Sequence, residues 1–513
     1  MLESLFRIYS LQRPSKNQEK KMRNYIENKI FEEFSEGVYT DSTEINEIIH
    51  YCFRLYVNII HSELSNISSS DLILNLLDDY DKTIEMKKHK RISQNQNVLI
   101  DWRKQGPIIR RAIKFMIEDS IINFNDLPKK QVKKQHIDKM IICTEELIKL
   151  SMQSESAFAL FDDQTTLELK KGQDIYWDLK INNPLIENGI KFPDLSKLYD
   201  GKRIIDSDIV VLNELMKNDF INSFGVELNG LWRIIEFLKN EEYDKAKYIK
   251  KEILLSNLSN YTGIKMEYIS KFYEGFSINA EKMKGEGRDI TKPKQEYRLL
   301  RRFFVEVTID SEEYVTWSKG MLNESSLLFL RGLSYKKIPS EWCPSKFNNG
   351  LEKVTENLGI WFENLVDNEL SKRNVVGRKN LKHRIGTENF EVVIPEKVGE
   401  IDYIGFDSKR NELLLIECKM ISPALEPKFF RDDYDKFMRD RSKKLGYKSQ
   451  FKTKINWVEE NLDDIKDKFG NQISLNISSS RLRPILLTFY PSIIEAFIKE
   501  FEVYTLSEFL EAY

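Results

Sequence analysis

The chain of 513 residues contains only four cysteines, Cys52, Cys143, Cys343 and Cys418, and no two of them form a CxxC pair. A zinc ligand set and a disulfide framework are therefore not expected, and a reducing compartment fits best. Glycine and proline are also scarce, at 21 and 13, and long stretches are left with helical periodicity. No run of about 18 apolar residues occurs, so no membrane partner or span is expected. The opening MLESLFRIYSLQRPSKNQ has no apolar segment of signal-peptide length, and a cytoplasmic protein is expected. The net charge is only −2, so there is no global basic field and any polyanion must be met by local patches. No GxxxxGK[ST] stretch occurs, which excludes NTP-driven translocation by a P-loop in this chain. No internal repeat of fixed period is present.

What is there is a charged, globular composition, 41% hydrophobic and 31% charged. The length implies several domains. Residues 1–150 read as a helical region. TDSTEINEIIHYCFRLYVNIIHSEL has an N-cap at Asp41 or Ser42 and apolar residues Ile45, Ile48, Ile49, Cys52, Phe53, Tyr56, Ile59 and Ile60 at helical spacing. His50 and His61 are eleven residues apart, which is no ligand signature. Residues 151–290 read as mainly helical, a regulatory or recognition module. Short strands or irregular structure are expected from about Ser151 to Arg203, with Asp162, Asp163, Asp174 and Asp178 as surface charges. Helices are expected over DSDIVVLNELMKNDF, ELNGLWRIIEFLKNE, EYDKAKYIKKEILLSNLSNYTG and KMEYISKFYEGFSI. The last two have the outline of a helix-turn-helix, for which packing is a simpler reading than DNA contact. Lys282–Glu296 is the linker candidate. Residues 291–345 read as a β-hairpin connector, turning at DSEE and leading into a C-terminal domain at 346–513.

That domain carries the chemistry. Asn349–Ser371 is a strong helix with Glu363 beside its apolar stripe and Gly359 one turn earlier, where close backbone packing is expected. RNVVGRKNLKHRIG reads as a basic loop from Arg373 to Arg384, and FEVVIP as a strand. GEIDYIGFD, the polar turn SKRN and ELLLIECKM read as two adjacent strands. The second is a nearly continuous apolar run, as in a strand covered on both faces, yet it ends in Glu417-Cys418-Lys419. Alternation puts Glu417 and Lys419 on one face and Cys418 on the other, in a packing role. Burying such charges is costly without partners or a metal. With Asp402 on the neighbouring strand, two carboxylates and a lysine gather at one sheet edge as a divalent-cation site. A long helical tract follows from about Lys428 to Phe469. Its Lys428–Lys454 part carries ten Lys/Arg against four Asp, with aromatics interleaved. Further strands at RPILLTFYP and FEVYTL complete a mixed sheet flanked by helices.

Gly359 and Glu363 on the helix, the GEID of Gly399–Asp402 and the ECK of Glu417–Lys419 resemble the PD-(D/E)XK nuclease superfamily, especially its Mrr-like, RecB-like and archaeal Holliday-junction-resolvase branches. The resemblance covers about Asn349–Tyr513. It implies a multidomain protein, with a mostly α-helical N-terminal region and a C-terminal α/β restriction-endonuclease-like domain with a mixed central sheet. It also implies a Mg²⁺- (or Mn²⁺-) dependent deoxyribonuclease. Asp402 and Glu417 would be metal ligands with the Cys418 carbonyl, and Lys419 would act on the water or the phosphorane. Glu363 would reach a second metal or a metal-bound water, and Glu400 would assist. Gln450 is the candidate for a post-core glutamine motif, although the accompanying tyrosine is missing at the expected spacing. Arg378, Lys379, Lys382 and Arg384, with Arg439, Arg441, Lys443, Lys444 and Lys448, would contact phosphates. The expected partner is double-stranded DNA. A homodimer and a separate ATPase, helicase or other defence-system partner are further expectations, since such a domain with an added regulatory half resembles a restriction or anti-phage effector. The alternatives are a catalytically inactive nucleic-acid-binding or scaffold protein on the same fold, and a repair, junction-specific or RNA nuclease.

Overall fold

Asp41 caps the first long helix of the periodic N-terminal stretch. Its carboxylate accepts from the N–H groups of Thr43 and Glu44 at 2.9 and 3.0 Å, opening Ser42–Leu64. Ile45, Ile48, Ile49, Cys52, Phe53, Tyr56 and Ile60 are buried along it, one face at helical spacing. This helix packs on Lys134–Glu155, and Ser69–Lys87 packs on Gln96–Ile122. The computed structural model describes every residue except 1, 125–132, 156–163, 174–175, 183–219, 222–225, 241–245, 287–295, 334–337, 343–344, 422–426 and 443. The acidic residues Asp162, Asp163 and Asp174, nearly all of the helix expected at 206–220 and much of the linker candidate lie outside the described residues. Among the described residues no helix is long and apolar enough to cross a membrane.

The described chain divides into two compact units, one formed by Met1–Asn182 with Ile209–Gly350 and one by Leu351–Tyr513. The segments 1–150, 151–290 and 291–345 thus contribute to one unit. Two small sheets hold it together. Gly37–Tyr39 pairs with Thr165–Leu169, which pairs with Trp177–Ile181. The first of these strands falls in a stretch that reads as wholly helical, because three residues carry no periodicity. The hairpin Phe304–Ile309 and Glu312–Thr316 turns at Asp310 and Ser311, both with positive φ (49° and 65°), as a two-residue hairpin turn requires. Ile249–Lys250 and Ser277–Ile278 flank it in a four-stranded sheet of the first unit. Two-residue strands have no pattern from which to be read. The pair Lys251–Thr262 and Met266–Phe276, joined at Gly263 (φ 67°), is part of this core. Phe272, Tyr273 and Phe276 pack on Phe303 and Phe304.

The elements of the second unit are α1 (Ser345–Ser371), β1 (Val375–Leu381), β2 (Arg384–Thr387), β3 (Phe390–Val393), β4 (Ile401–Asp407), β5 (Glu412–Lys419), α2 (Pro427–Met438), α3 (Tyr447–Glu460), α4 (Leu462–Ile473), β6 (Arg481–Thr488), α5 (Ile494–Phe497), β7 (Glu502–Thr505) and α6 (Leu506–Ala512). The main sheet runs β7-β6-β5-β4-β1. Strand β4 is antiparallel to both β1 and β5, whereas β5, β6 and β7 run parallel, so the sheet is mixed. Leu413, Leu414, Leu415 and Ile416 are fully buried, as a strand covered on both faces should be.

Three expectations are corrected here. The Arg373–Arg384 stretch is not a loop. Most of it is β1, a charged strand at the sheet edge, where solvated side chains discourage further pairing. Strand β3, in FEVVIP, pairs with β2 in a separate two-stranded sheet rather than joining the main one. The tract from Lys428 to Phe469 is broken into three helices. The first break ends at Gly446, where a Cβ would lie 2.6 Å from the Phe437 carbonyl oxygen.

Glycine also decides the edge of the main sheet. Gly377 of β1 lies directly opposite Gly405 of β4, and the buried ring of Tyr403 lies over both. A Cβ at either position would collide with that ring. Gly359 is different, since a Cβ there meets no described atom within 4 Å and close packing does not account for it. Gly359→Ala is accordingly expected to raise stability by about 0.5–1 kcal/mol through helix propensity. Gly377→Ala should lower it by about 1–3 kcal/mol through overpacking. Urea midpoints of the two variants check this, and equal shifts would refute it.

Candidate active site

Tyr403 of β4 faces Ile416 of β5. One step further along the same antiparallel register, Asp402 falls opposite Glu417. Alternation puts both carboxylates and Lys419 on one face of the sheet. They are withdrawn from solvent, with Asp402 at 7% and Glu417 at 1% relative exposure. Like charges directly across a strand pair repel, and buried ones repel most. Two ammoniums compensate them. Lys419 Nζ lies 2.6 Å from Glu417 Oε1 and 3.9 Å from Asp402 Oδ2. Lys454 Nζ, from α3, lies 2.5 Å from Glu417 Oε2 and 3.6 Å from Asp402 Oδ1. The Lys454 contact is a directed hydrogen bond. The Lys419 contact is a close ion pair to the other oxygen, Glu417 Oε1. The Cys418 N–H donates to Asp402 Oδ2 at 2.8 Å, so the main chain fixes that carboxylate. The Tyr447 ring stands 5.1 Å from the Lys419 ammonium.

The electrostatics follow from this packing. Burial, then the Glu417 charge, pushes Asp402 up to about 6, against the pull of Lys419, Lys454 and the Cys418 N–H. Burial would lower the Lys419 proton affinity, but the Glu417 and Asp402 carboxylates outweigh it and raise it. Burial holds the Cys418 thiol well above its ordinary value, in keeping with a packing role for that side chain. Glu363, half-buried on α1, is pushed up to about 7 by burial and then by the Asp402 and Glu400 charges.

Among the described residues, no three His, Cys, Asp or Glu side chains converge closely enough to share a metal ion. Asp402 and Glu417 come together as expected. Glu363 stands within electrostatic reach of them without completing a ligand triad. Glu400 is half-buried and lies 3.7 Å from the Lys382 ammonium. Gln450 is not at the carboxylates. Its side-chain amide donates to the Leu445 carbonyl at 2.7 Å and closes the start of α3. One turn further along α3 it is Lys454 that reaches the site. Lys454 reads in the sequence as one more charge of a basic tract. The signal that marks it is its place in the buried stripe Phe451, Lys454, Ile455 and Val458, where an ammonium needs a partner.

The basic residues scatter. Arg378 is exposed and donates to its neighbour's carbonyl, that of Gly377, at 2.9 Å. Lys379, on the opposite face of β1, is turned to α1, where it meets Asn364 and, at 3.3 Å, Asp367. Arg384 pairs with Glu391 at 2.9 Å, Arg439 with Asp435 at 3.1 Å and Lys448 with Glu500 at 2.5 Å. Arg441 and Lys444 are exposed in a turn closed by their own reciprocal backbone hydrogen bonds. Lys443 lies outside the described residues. Of the interleaved aromatics, Phe437 packs edge-on to Tyr447 and Phe451 edge-on to Phe501.

The chain matches no protein-family profile, and no curated protein and no solved structure is significantly similar to it.

Glu363 makes the site's strain measurable. A carboxyl whose folded-state affinity for protons is raised contributes stability that is complete below its ordinary value, 4.5, and is lost as pH rises to about 7. Glu363→Gln removes that loss. Its urea midpoint should match the wild type near the acid end of this window and exceed it at pH 8. A difference that fails to grow across the window would contradict the assignment.

Proposed function

We propose that the second unit is a divalent-metal-dependent endonuclease domain of the restriction-endonuclease-like kind, hydrolysing DNA phosphodiester bonds. The observation that carries this reading is the opposition of Asp402 and Glu417 on adjacent antiparallel strands, with Lys419 on the same face. The donor set fits the cation. Mg²⁺ is commonly held by one or two carboxylates, its other positions being left to water and substrate phosphate. Burial and the crowding of like charge raise the proton affinity of Asp402 and Glu363, a crowding that a bound dication would relieve.

In this reading Asp402 and Glu417 would hold the cation, and the Cys418 N–H keeps Asp402 in place. When bound, the cation supplies Lewis acidity toward a phosphoryl oxygen and lowers the proton affinity of bound water. Lys419 would place a fixed positive charge beside the negative charge that develops on the phosphorane oxygens, in a water-poor site that strengthens the interaction. Glu363, with its proton affinity near neutrality, is the adjacent group suited to take or give a proton at its carboxyl oxygen. Exposed Arg378, Arg441 and Lys444 are the basic side chains best presented to a phosphate backbone. The first unit would then serve recognition or control, as in a defence or restriction effector, a role that rests on analogy of design.

Plasmid and single-stranded DNA, with RNA as a parallel arm, provide the test in Mg²⁺, in Mn²⁺ and in EDTA. Cleavage is expected only with metal, and Asp402→Ala and Lys419→Ala should each reduce it by about 10²–10³-fold. Cleavage that ignores EDTA and survives both substitutions would overturn the proposal. Metal-independent binding with no cleavage would point to a binding protein on the same fold.

A further inference from the structure

Lys454 is more deeply withdrawn than a phosphate contact should be, at 7% relative exposure. Its ammonium is committed to the carboxylate oxygens themselves, 2.5 Å from Glu417 Oε2 and 3.6 Å from Asp402 Oδ1. Lys419 differs from it in two respects. It belongs to the same strand as Glu417, and it pairs with the other oxygen, Oε1, at 2.6 Å. Lys454 comes instead from a separate helix, 37 residues further along the chain. Glu417 is thus gripped on one oxygen by a cation that a movement of α3 or a change of lysine rotamer could withdraw.

We propose that Lys454 is a built-in counter-ion of the two carboxylates and competes with the divalent cation for them, so that cation uptake requires its ammonium to yield Glu417. The inference rests on the reading of Asp402 and Glu417 as a cation site and adds a regulation of that site. Its physical basis is that a buried carboxylate needs compensation at all times. Lys454 provides it from within the chain and protects the fold, at a cost to cation affinity. The alternative, that Lys454 merely positions Glu417 as a ligand, predicts the opposite sign. Removing a support weakens cation binding, whereas removing a competitor strengthens it.

Titration of the full chain with Mn²⁺, followed by loss of the free-ion electron paramagnetic resonance signal, reads that sign directly. Lys454→Met and Lys454→Gln remove the charge, and the second keeps a hydrogen-bond donor should the first fail to fold. Both are expected to bind Mn²⁺ on the order of tenfold more tightly than the wild type, a typical coupling between two groups that exclude one another. Lys454→Arg should stay near the wild type. Mn²⁺ should also raise the melting temperature of the charge-removed variants more than that of the wild type, because binding to the folded state alone is stabilising. Uptake by the wild type that is unchanged or weakened in folded Lys454→Gln would overturn the inference while leaving the cation site intact. No uptake by wild type or variant, or uptake indifferent to Asp402→Ala, would overturn the cation-site reading and this inference together.

Discussion

A single buried carboxylate, that of Glu417, constrains the second unit more than any other group. At 1% exposure it is shut off from bulk solvent, and its charge is met by Lys419 and Lys454. Such an ion costs several kcal/mol to bury, and removing one partner leaves that cost uncompensated. The location of α3 and the extended β5 both serve this balance. Asp402 adds a second negative charge across the strand pair, and the main chain ties it down through the Cys418 N–H. A one-residue slip between β4 and β5 would turn Asp402 and Glu417 to opposite faces, so the site depends on the register of that one pair.

The other face of the sheet supplies the rigidity. Tyr403 lies over Gly377 and Gly405, which brings edge strand β1 close to β4. Lys379 ties β1 to Asn364 and Asp367 of α1. The same helix carries Glu363 toward the carboxylates. A constellation on strands, held by packing on the opposite face, keeps its geometry better than one on loops.

Much of this arrangement was legible in local pattern. The Asp41 cap, the stripe that follows it and the apolar run of β5 all form where their spacing says they should. Other features were hidden for identifiable reasons. Strand β1 carries Arg378, Lys379 and Asn380, and such charge reads as a loop, although an edge strand tolerates it. Gly377 and Gly405 look like breakers until the ring that fills their place is known. Gly359, which invites a close-packing reading, borders no described neighbour that needs it. Two-residue strands in the first unit have no periodicity to detect.

By itself the sequence determined which side chains share a face. Strand alternation joins Glu417 to Lys419 and separates both from Cys418, and the polarity of that strand end already marks a costly burial. Only the tertiary structure decided who meets them. Asp402 reaches Glu417 because β4 and β5 pair in one register, and Lys454 does so because α3 packs beside β6. Periodicity encodes the direction of a side chain relative to its own backbone. The partner of a buried charge is set by which distant segment the fold brings against it, so the apolar stripe around Lys454 marks a lysine in need of a partner without saying which carboxylate it meets.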